Sequence, residues 1–291
     1  MYEVGNKSFA FNKHIHSNEA YHHSFSLLAQ KTFGLHFQNW TDKYIPHVLL
    51  DGENVVSNVS VNIIDTMWKG TLKRYIQLGT VMTDNAYRNM GLSRFLINRI
   101  YADWLNNCDA MYLYANDTVL DFYPRFGFVK EEEYQCSMPI THTYENVKAR
   151  ILNMSNKADV ELLHKFYYKS NPFSALPMLD NLGLLMFYCT ASMKECVYYI
   201  EEYPAVVIAK QNDETLICYD IFCDKGFSMA SILSHAAFKG CKNVLFGFAV
   251  ENAEDSALTL VQEEDTTLFV LQSKENIFAD NKTMFPLLSH A

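Results

Sequence analysis

Short apolar runs separated by polar turns dominate the first half of the chain. His47–Leu50 and Val55–Ile64 flank Asp51-Gly52-Glu53, a pattern that predicts a β-hairpin. Thr71–Thr83 is a further extended run, and Asn18–Phe33 ahead of the hairpin reads as a helix. After Gly91 the pattern changes: Leu92, Phe95, Leu96, Ile100 and Trp104 recur close to a 3.6 period, predicting an amphipathic helix. Ala110–Ala115 reads as a buried strand, followed by a short helix and a last strand near Phe128–Met138. Antiparallel strands feeding a strand–turn–helix–strand unit indicate an α/β (α+β) layered domain.

The second half carries a fainter copy of the same order. Leu216–Cys223 reads as a strand, Ser228–Lys239 as an amphipathic helix and Val244–Val250 as a strand. Aligning Cys108 with Cys241 superimposes the two units, though strand–helix–strand units are common enough that pattern alone leaves duplication open. The polar stretch Thr141–Asn146, after Pro139, is the natural boundary. A chain of 291 residues suits two domains, and its 49% apolar content is enough for a core in each.

Charge adds a direction. The chain has 24 basic and 33 acidic side chains, which argues against a general nucleic-acid binder. Five of the six arginines lie before residue 141, so anion chemistry is expected in the first half. No apolar run approaches the roughly 20 residues that span a bilayer, and the Met-Tyr-Glu-Val start lacks a leader pattern; a cytoplasmic chain is expected. The seven cysteines form no CxxC pair and read as buried free thiols. His14, His16, His22 and His23 lack metal-ligand spacing, so no metal site is expected.

Candidate chemistry lies in two places. In Thr80–Ser93 a strand ends, a polar turn follows and a helix begins at Gly91. A helix start exposes free amides that suit an anion, Gly91 admits a ligand close to the backbone, and Arg88 adds charge. An ordinary strand-to-helix turn with a solvated arginine fits the same residues. Downstream, Asn116–Phe128 holds Thr118 and Asp121 at capping-box spacing, then Tyr123, Pro124 and Gly127.

Together these segments resemble the GCN5-related N-acetyltransferase (GNAT) superfamily. Its acetyl-CoA motif, Arg/Gln-x-x-Gly-x-Gly/Ala, is matched by Arg88-Asn89-Met90-Gly91-Leu92-Ser93 with serine in the last place. Its second motif, Asn, seven residues to Tyr, then Gly-Phe, is matched by Asn116, Tyr123, Gly127 and Phe128. The resemblance covers about residues 10–138. It implies that Arg88–Ser93 cradles the CoA pyrophosphate, that Val81, Met82 and Thr83 pair with the pantetheine arm, and that Asn116 contacts it. Tyr123 would protonate the departing thiolate.

The resemblance implies two GNAT-like domains, each a mixed, mostly antiparallel sheet flanked by helices: residues 1–140 catalytic, residues 145–291 degenerate. In the second, Ile221–Gly226 lacks the glycine and arginine of the motif and carries Asp224. That copy would wall the acceptor site, and its acidic surplus would suit a cationic amine. The implied activity is acetyl transfer from acetyl-CoA to an amine of a small molecule or peptide, without nucleic acid or membrane. A CoA-binding sensor or scaffold, and an aminoacyl or long-acyl transferase of the same fold, are the alternatives. The family's strand carboxylate is replaced by Gly79 and Thr80, leaving the general base open among a water relay, Asp84, Glu53, a second-domain group, the terminal carboxylate and His290. Glu131-Glu132-Glu133 reads as a solvent-side run, and Lys165–Lys169 as a half-buried helix face. Neither the acceptor nor the oligomeric state is legible.

Overall fold

A computed structural model describes residues 1–34, 41–140, 149–236, 240–252 and 256–290. The expected boundary at Thr141–Asn146 and the terminal carboxylate on Ala291 lie outside them. The first half runs β1 (Tyr2–Val4), β2 (Lys7–Asn12), α1 (Glu19–Phe33), β3 (Tyr44–Asp51), β4 (Asn54–Trp68) and β5 (Thr71–Thr83). It continues with α2 (Leu92–Trp104), β6 (Ala110–Ala115), β7 (Phe128–Lys130) and β8 (Tyr134–Pro139). The second half opens with β9 (Ala149–Ile151), α3 (Lys157–Tyr167), β10 (Met178–Leu179), α4 (Leu182–Thr190), β11 (Val197–Ile200) and β12 (Ala205–Asn212). It closes with β13 (Thr215–Cys223), α5 (Met229–Ala236), β14 (Asn243–Phe246), β15 (Ala257–Leu260) and β16 (Thr267–Leu271).

Local chemistry sets these limits. The Asn18 side chain accepts from the Tyr21 amide at 3.1 Å to start α1, and Gly34 ends it in the left-handed region. Asp51 pairs with Asn54, so Gly52 and Glu53 form the two-residue hairpin turn. The long strand β4 is almost wholly buried, because α2 packs on one face and α1, with the second half, on the other.

The strands form two mixed sheets that exchange strands. One runs β1-β2-β3-β4-β5-β6-β16-β7, with β10 pairing to β4; the other runs β15-β8-β14-β13-β12-β11-β9. Thus β16, from late in the chain, sits between β6 and β7, while β8 crosses to the second sheet. The single strand expected over Phe128–Met138 is therefore two strands in different sheets. The crossing also corrects the reading of Glu133, which is buried beneath the second half rather than facing solvent. Its Oε1 accepts from the Tyr114 hydroxyl at 3.1 Å and the Phe285 amide at 2.8 Å. Phe285 in turn stacks on Tyr112 with centroids 3.9 Å apart, a contact worth roughly 0.5–1.5 kcal/mol beyond area burial.

The short helix expected after β6 is two 3-10 turns, Asp117–Val119 and Tyr123–Phe126. No capping box forms at Thr118: Asn116 heads the first turn and its side chain bonds elsewhere. In the second half, Phe166 and Tyr167 are buried while Tyr168 is exposed, close to the expected half-buried face. Buried Asn181 joins the halves. Its Nδ2 donates to the Ile63 carbonyl at 3.1 Å, and its Oδ1 accepts from the Leu184 amide at 3.3 Å, fixing the start of α4 against β4.

Candidate active site

Parallel strands β5 and β6 pair from Tyr75↔Ala110 to Leu78↔Leu113 and then part. Beyond that point Gly79–Thr83 keeps its partner β4 on one side and has an open edge on the other. The same stretch is bulged: Asn58 faces Met82 and Ser60 faces Gly79, so Thr80 and Val81 share one partner residue. Thr80 takes φ 47°, an unusual conformation for a β-branched residue. Three side chains hold it there. Asn58 Nδ2 donates to the Thr80 carbonyl at 2.7 Å and to Ser60 Oγ at 2.9 Å, and the Tyr44 and Thr80 hydroxyls lie 2.7 Å apart.

The open edge leads to the Arg88–Ser93 turn. Asn89 and Gly91 have φ of 62° and 73°, and α2 starts with no side-chain cap, so its first-turn amides are left without intrahelical partners. A Cβ on Gly91 would sit 3.1 Å from the Tyr2 hydroxyl, in a conformation that L side chains rarely adopt. Arg88 and Asn89 are exposed, Met90 is half-buried, and Leu92 is in the core. Ser93 Oγ lies 3.0 Å from Thr83 Oγ1, joining helix start to strand end. Val81 is half-buried and Met82 buried, so the three strand residues expected to act together point to different surroundings.

Asn116 lies at the end of β6, across the gap from Thr80–Thr83. Its Nδ2 donates to Asp265 Oδ2 at 2.8 Å, and the Asp117 amide donates to Asp265 Oδ1 at 2.7 Å. Tyr123 is buried among Phe122, Phe128 and Phe269, the last supplied by β16. Burial pushes its phenol up to about 12, so the hydroxyl keeps its proton at neutral pH. Among the described residues none hydrogen-bonds that hydroxyl.

On the opposite face of the sheet from α2 lies a cavity of about 450 Å³. Tyr44, Asn62, Gln77, Thr80 and Tyr114 line it from the first half; Leu184, Phe187 and Tyr188 on α4, with Glu263, Thr266 and His290, line it from the second. Gly183 lets α4 approach this closely, since a Cβ there would collide with the Thr41 side chain. The Tyr188 hydroxyl donates to the His290 carbonyl at 2.7 Å, tying the tail into the wall. The His290 ring lies 4.1 Å from that of Tyr114, and burial pushes it down to about 4, so it is neutral. Its Nε2 is buried with no partner among the described residues.

Two of the candidate bases are placed elsewhere. Asp84 is held below the usual carboxylate range by Lys31, at 2.7 Å, and by the Ala86 amide that it caps. Glu53 is exposed at the hairpin tip, nine residues before Asn62 in mid-β4, about 30 Å along the strand. Neither lines the cavity. The sequence reading missed Asn58, Tyr44, Asn62 and Gln77. For Asn58 and Asn62 the signal is the alternation of Ser and Asn with valine in Asn54–Asn62, polar side chains on a strand buried on both faces.

A mixed sheet whose parallel strands part beside a glycine-led helix start is the arrangement of the GNAT fold. Residues 14–128 match the acetyltransferase (GNAT) family. Whole-chain likeness extends the fold to both halves. A probable N-acyltransferase of Enterococcus faecalis V583 aligns with TM-score 0.59 at 12% identity, over 90% of this chain and 72% of that one. Eis1 from Mycobacterium abscessus aligns with TM-score 0.57 at 11% identity, over 90% and 73%. A GCN5-related N-acetyltransferase from Anabaena variabilis gives 0.53 at 12%, over 90% and 72%. Among curated protein sequences, none matches this chain.

Proposed function

We propose that the protein is an N-acetyltransferase that moves an acetyl group from acetyl-CoA to an amine of a small molecule or peptide by direct attack. The observation that carries this reading is the gap between β5 and β6, which has the uncapped Arg88–Ser93 helix start at one end and the 450 Å³ cavity beside it. Residues 1–140 supply the catalytic domain and residues 145–291 the degenerate copy, each completed by a strand of the other. The family match and the free thiols, six of the seven buried, suit a cytoplasmic protein.

Acetyl-CoA supplies a thioester carbonyl and a thiolate leaving group. The Arg88–Ser93 amides and the Arg88 guanidinium bind the pyrophosphate, and the open edge of Val81, Met82 and Thr83 pairs with the pantetheine amides. The acceptor nitrogen enters from the cavity and attacks the carbonyl carbon; backbone N–H groups of the bulge near Val81 stabilise the oxyanion. As the C–S bond breaks, Tyr123 gives its proton to sulfur; the nitrogen's proton leaves through water, and solvent returns a proton to the Tyr123 oxygen. Neutral His290 is the cavity's imidazole and the first partner for that water.

A CoA-binding sensor is the second reading, and one observation favours it: Asp265 already occupies the Asn116 side chain and Asp117 amide on the cofactor side. Thiol release from acetyl-CoA, measured with and without an amine panel, separates the two. Amine-dependent release with stoichiometric N-acetyl product supports transfer. Saturable CoA binding without amine-dependent release contradicts it.

A further inference from the structure

The cavity's lining also says which amine fits. Its walls are largely aromatic: Tyr44 and Tyr114 from the sheet, Phe187 and Tyr188 from α4, with Leu184 between. Its two amides are already engaged with each other, Asn62 Nδ2 donating to Gln77 Oε1 at 3.3 Å. No lysine or arginine lines it among the described residues, and Glu263 is its one carboxylate. That carboxylate lies in the loop leading into β16, which is pinned to the end of β6 by the Thr267↔Ala115 pair and the Asp265–Asn116 bond. Its charge therefore sits on the side where the strands part. Its field reaches the walls: after burial, the Glu133 and Glu263 carboxylates raise the Tyr114 phenol well above its ordinary range, and Glu263 adds to burial in lifting Tyr188 to about 12. Two lining atoms, His290 Nε2 and Thr41 Oγ1, are buried with no partner among the described residues.

We infer that this cavity takes a small primary amine with a single ammonium on an aromatic body, the arylalkylamine class, in preference to polyamines and peptide lysines. The inference rests on the acyltransferase reading of the neighbouring gap. The amino end lies toward Glu263 and the bulge, where a lone cation meets a carboxylate and aromatic faces before it loses its proton. The ring lies against Leu184, Phe187 and Tyr188. A second ammonium would be held among aromatic walls with no counter-charge, a costly burial. A volume of about 450 Å³ falls in the lower half of the usual range for small-ligand sites, roughly 300–1,000 Å³, and leaves little room for a peptide backbone.

The test uses the full chain and three acceptors: phenethylamine, spermidine and an N-terminally blocked lysine peptide. Thiol release gives kcat/KM for each, and calorimetry without acetyl-CoA gives amine binding directly. The expected kcat/KM for phenethylamine exceeds that for spermidine and for the peptide by roughly a hundredfold. Glu263→Gln and Phe187→Ala, both at exposed positions, should each raise the phenethylamine KM about tenfold with kcat little changed. A preference for spermidine or the peptide overturns the inference, as does absence of phenethylamine binding in the calorimeter. Failure of CoA to bind would instead remove the acyltransferase reading, while amine binding would still decide the character of the cavity.

Discussion

In the first half, β5 and β6 separate after Leu78 and Leu113; in the second, β13 and β14 separate after Cys218 and Phe246. Each of β5 and β13 is bulged against its antiparallel neighbour at that point, at Thr80–Val81 and at Tyr219. The helix starts beyond the two gaps differ. The first has Gly91 at its N-cap, no capping side chain and Arg88 in the approach. The second is capped by Ser228, whose Oγ accepts from the Ser231 amide, and is approached through Asp224, paired with Lys169. The second gap is also filled: the Leu287 amide donates to the Gly247 carbonyl at 2.8 Å, one residue past the last strand pair, and the tail packs against β13. One scaffold thus carries an open gap with an uncapped helix start and a closed, capped one. The difference rests on a cap, one sign of charge and the tail residues Phe285–His290.

The comparison is broken most completely by cutting the chain. Residues 1–140 alone lack β16, leaving β6 and β7 without the strand between them and removing Phe269 from beside Tyr123. The fragment should be insoluble or fail to bind CoA, because strand edges and apolar surface are uncovered. A soluble fragment that binds CoA as the full chain does would show that the exchange is dispensable.

Next in size is Tyr123→Phe, which keeps the ring among Phe122, Phe128 and Phe269 and removes one oxygen. Turnover should fall by about 10²–10⁴-fold, with CoA affinity and melting temperature nearly unchanged. Turnover within about threefold of the parent, with chemistry rate-limiting, would place Tyr123 in the core and nowhere else. Gly91→Val should weaken CoA binding about a hundredfold, through strain at φ 73° and intrusion beside the anion-facing amides. Unchanged affinity in a folded variant would remove that turn from the site.

A change in stability with pH, not in binding or turnover, concerns Glu133, which burial pushes up to about 7. Its raised value means the folded state holds the proton more tightly, so its contribution is full below pH 4.5 and is lost as pH rises through 7. Asp220, also pushed to about 7 by burial, acts in the same sense, whereas His290, lowered to about 4, costs stability as pH falls below 6.5. Comparing Glu133→Gln with the parent isolates the first. The variant should gain on the order of 3 kcal/mol relative to its own difference at about pH 4.5 by about pH 8, read from urea melts. A difference that is flat with pH would show that Glu133 ionises freely.

Most of the first half was legible from pattern: Thr71–Thr83 and Ala110–Ala115 are strands with the expected limits, and α2 follows Gly91 as its 3.6 period requires. The exchange was not, because Tyr134–Pro139 and Thr267–Leu271 read as strands whichever sheet they join. Pairing partners are set by long-range packing, such as Phe285 on Tyr112, that leaves no local period. The glycine turn was visible because its requirement is local. The cavity was not, since its walls come from residues up to some 250 positions apart, Thr41 to His290. Glu133 shows the same limit: three adjacent glutamates look solvated until a second domain covers one of them.

Calorimetric titration of acetyl-CoA into the full chain addresses the contrast between the two gaps most directly. One site per chain, lost in Gly91→Val and kept in a variant altered at Asp224, is the expected result. Two equivalent sites, or binding that survives Gly91→Val, would contradict it.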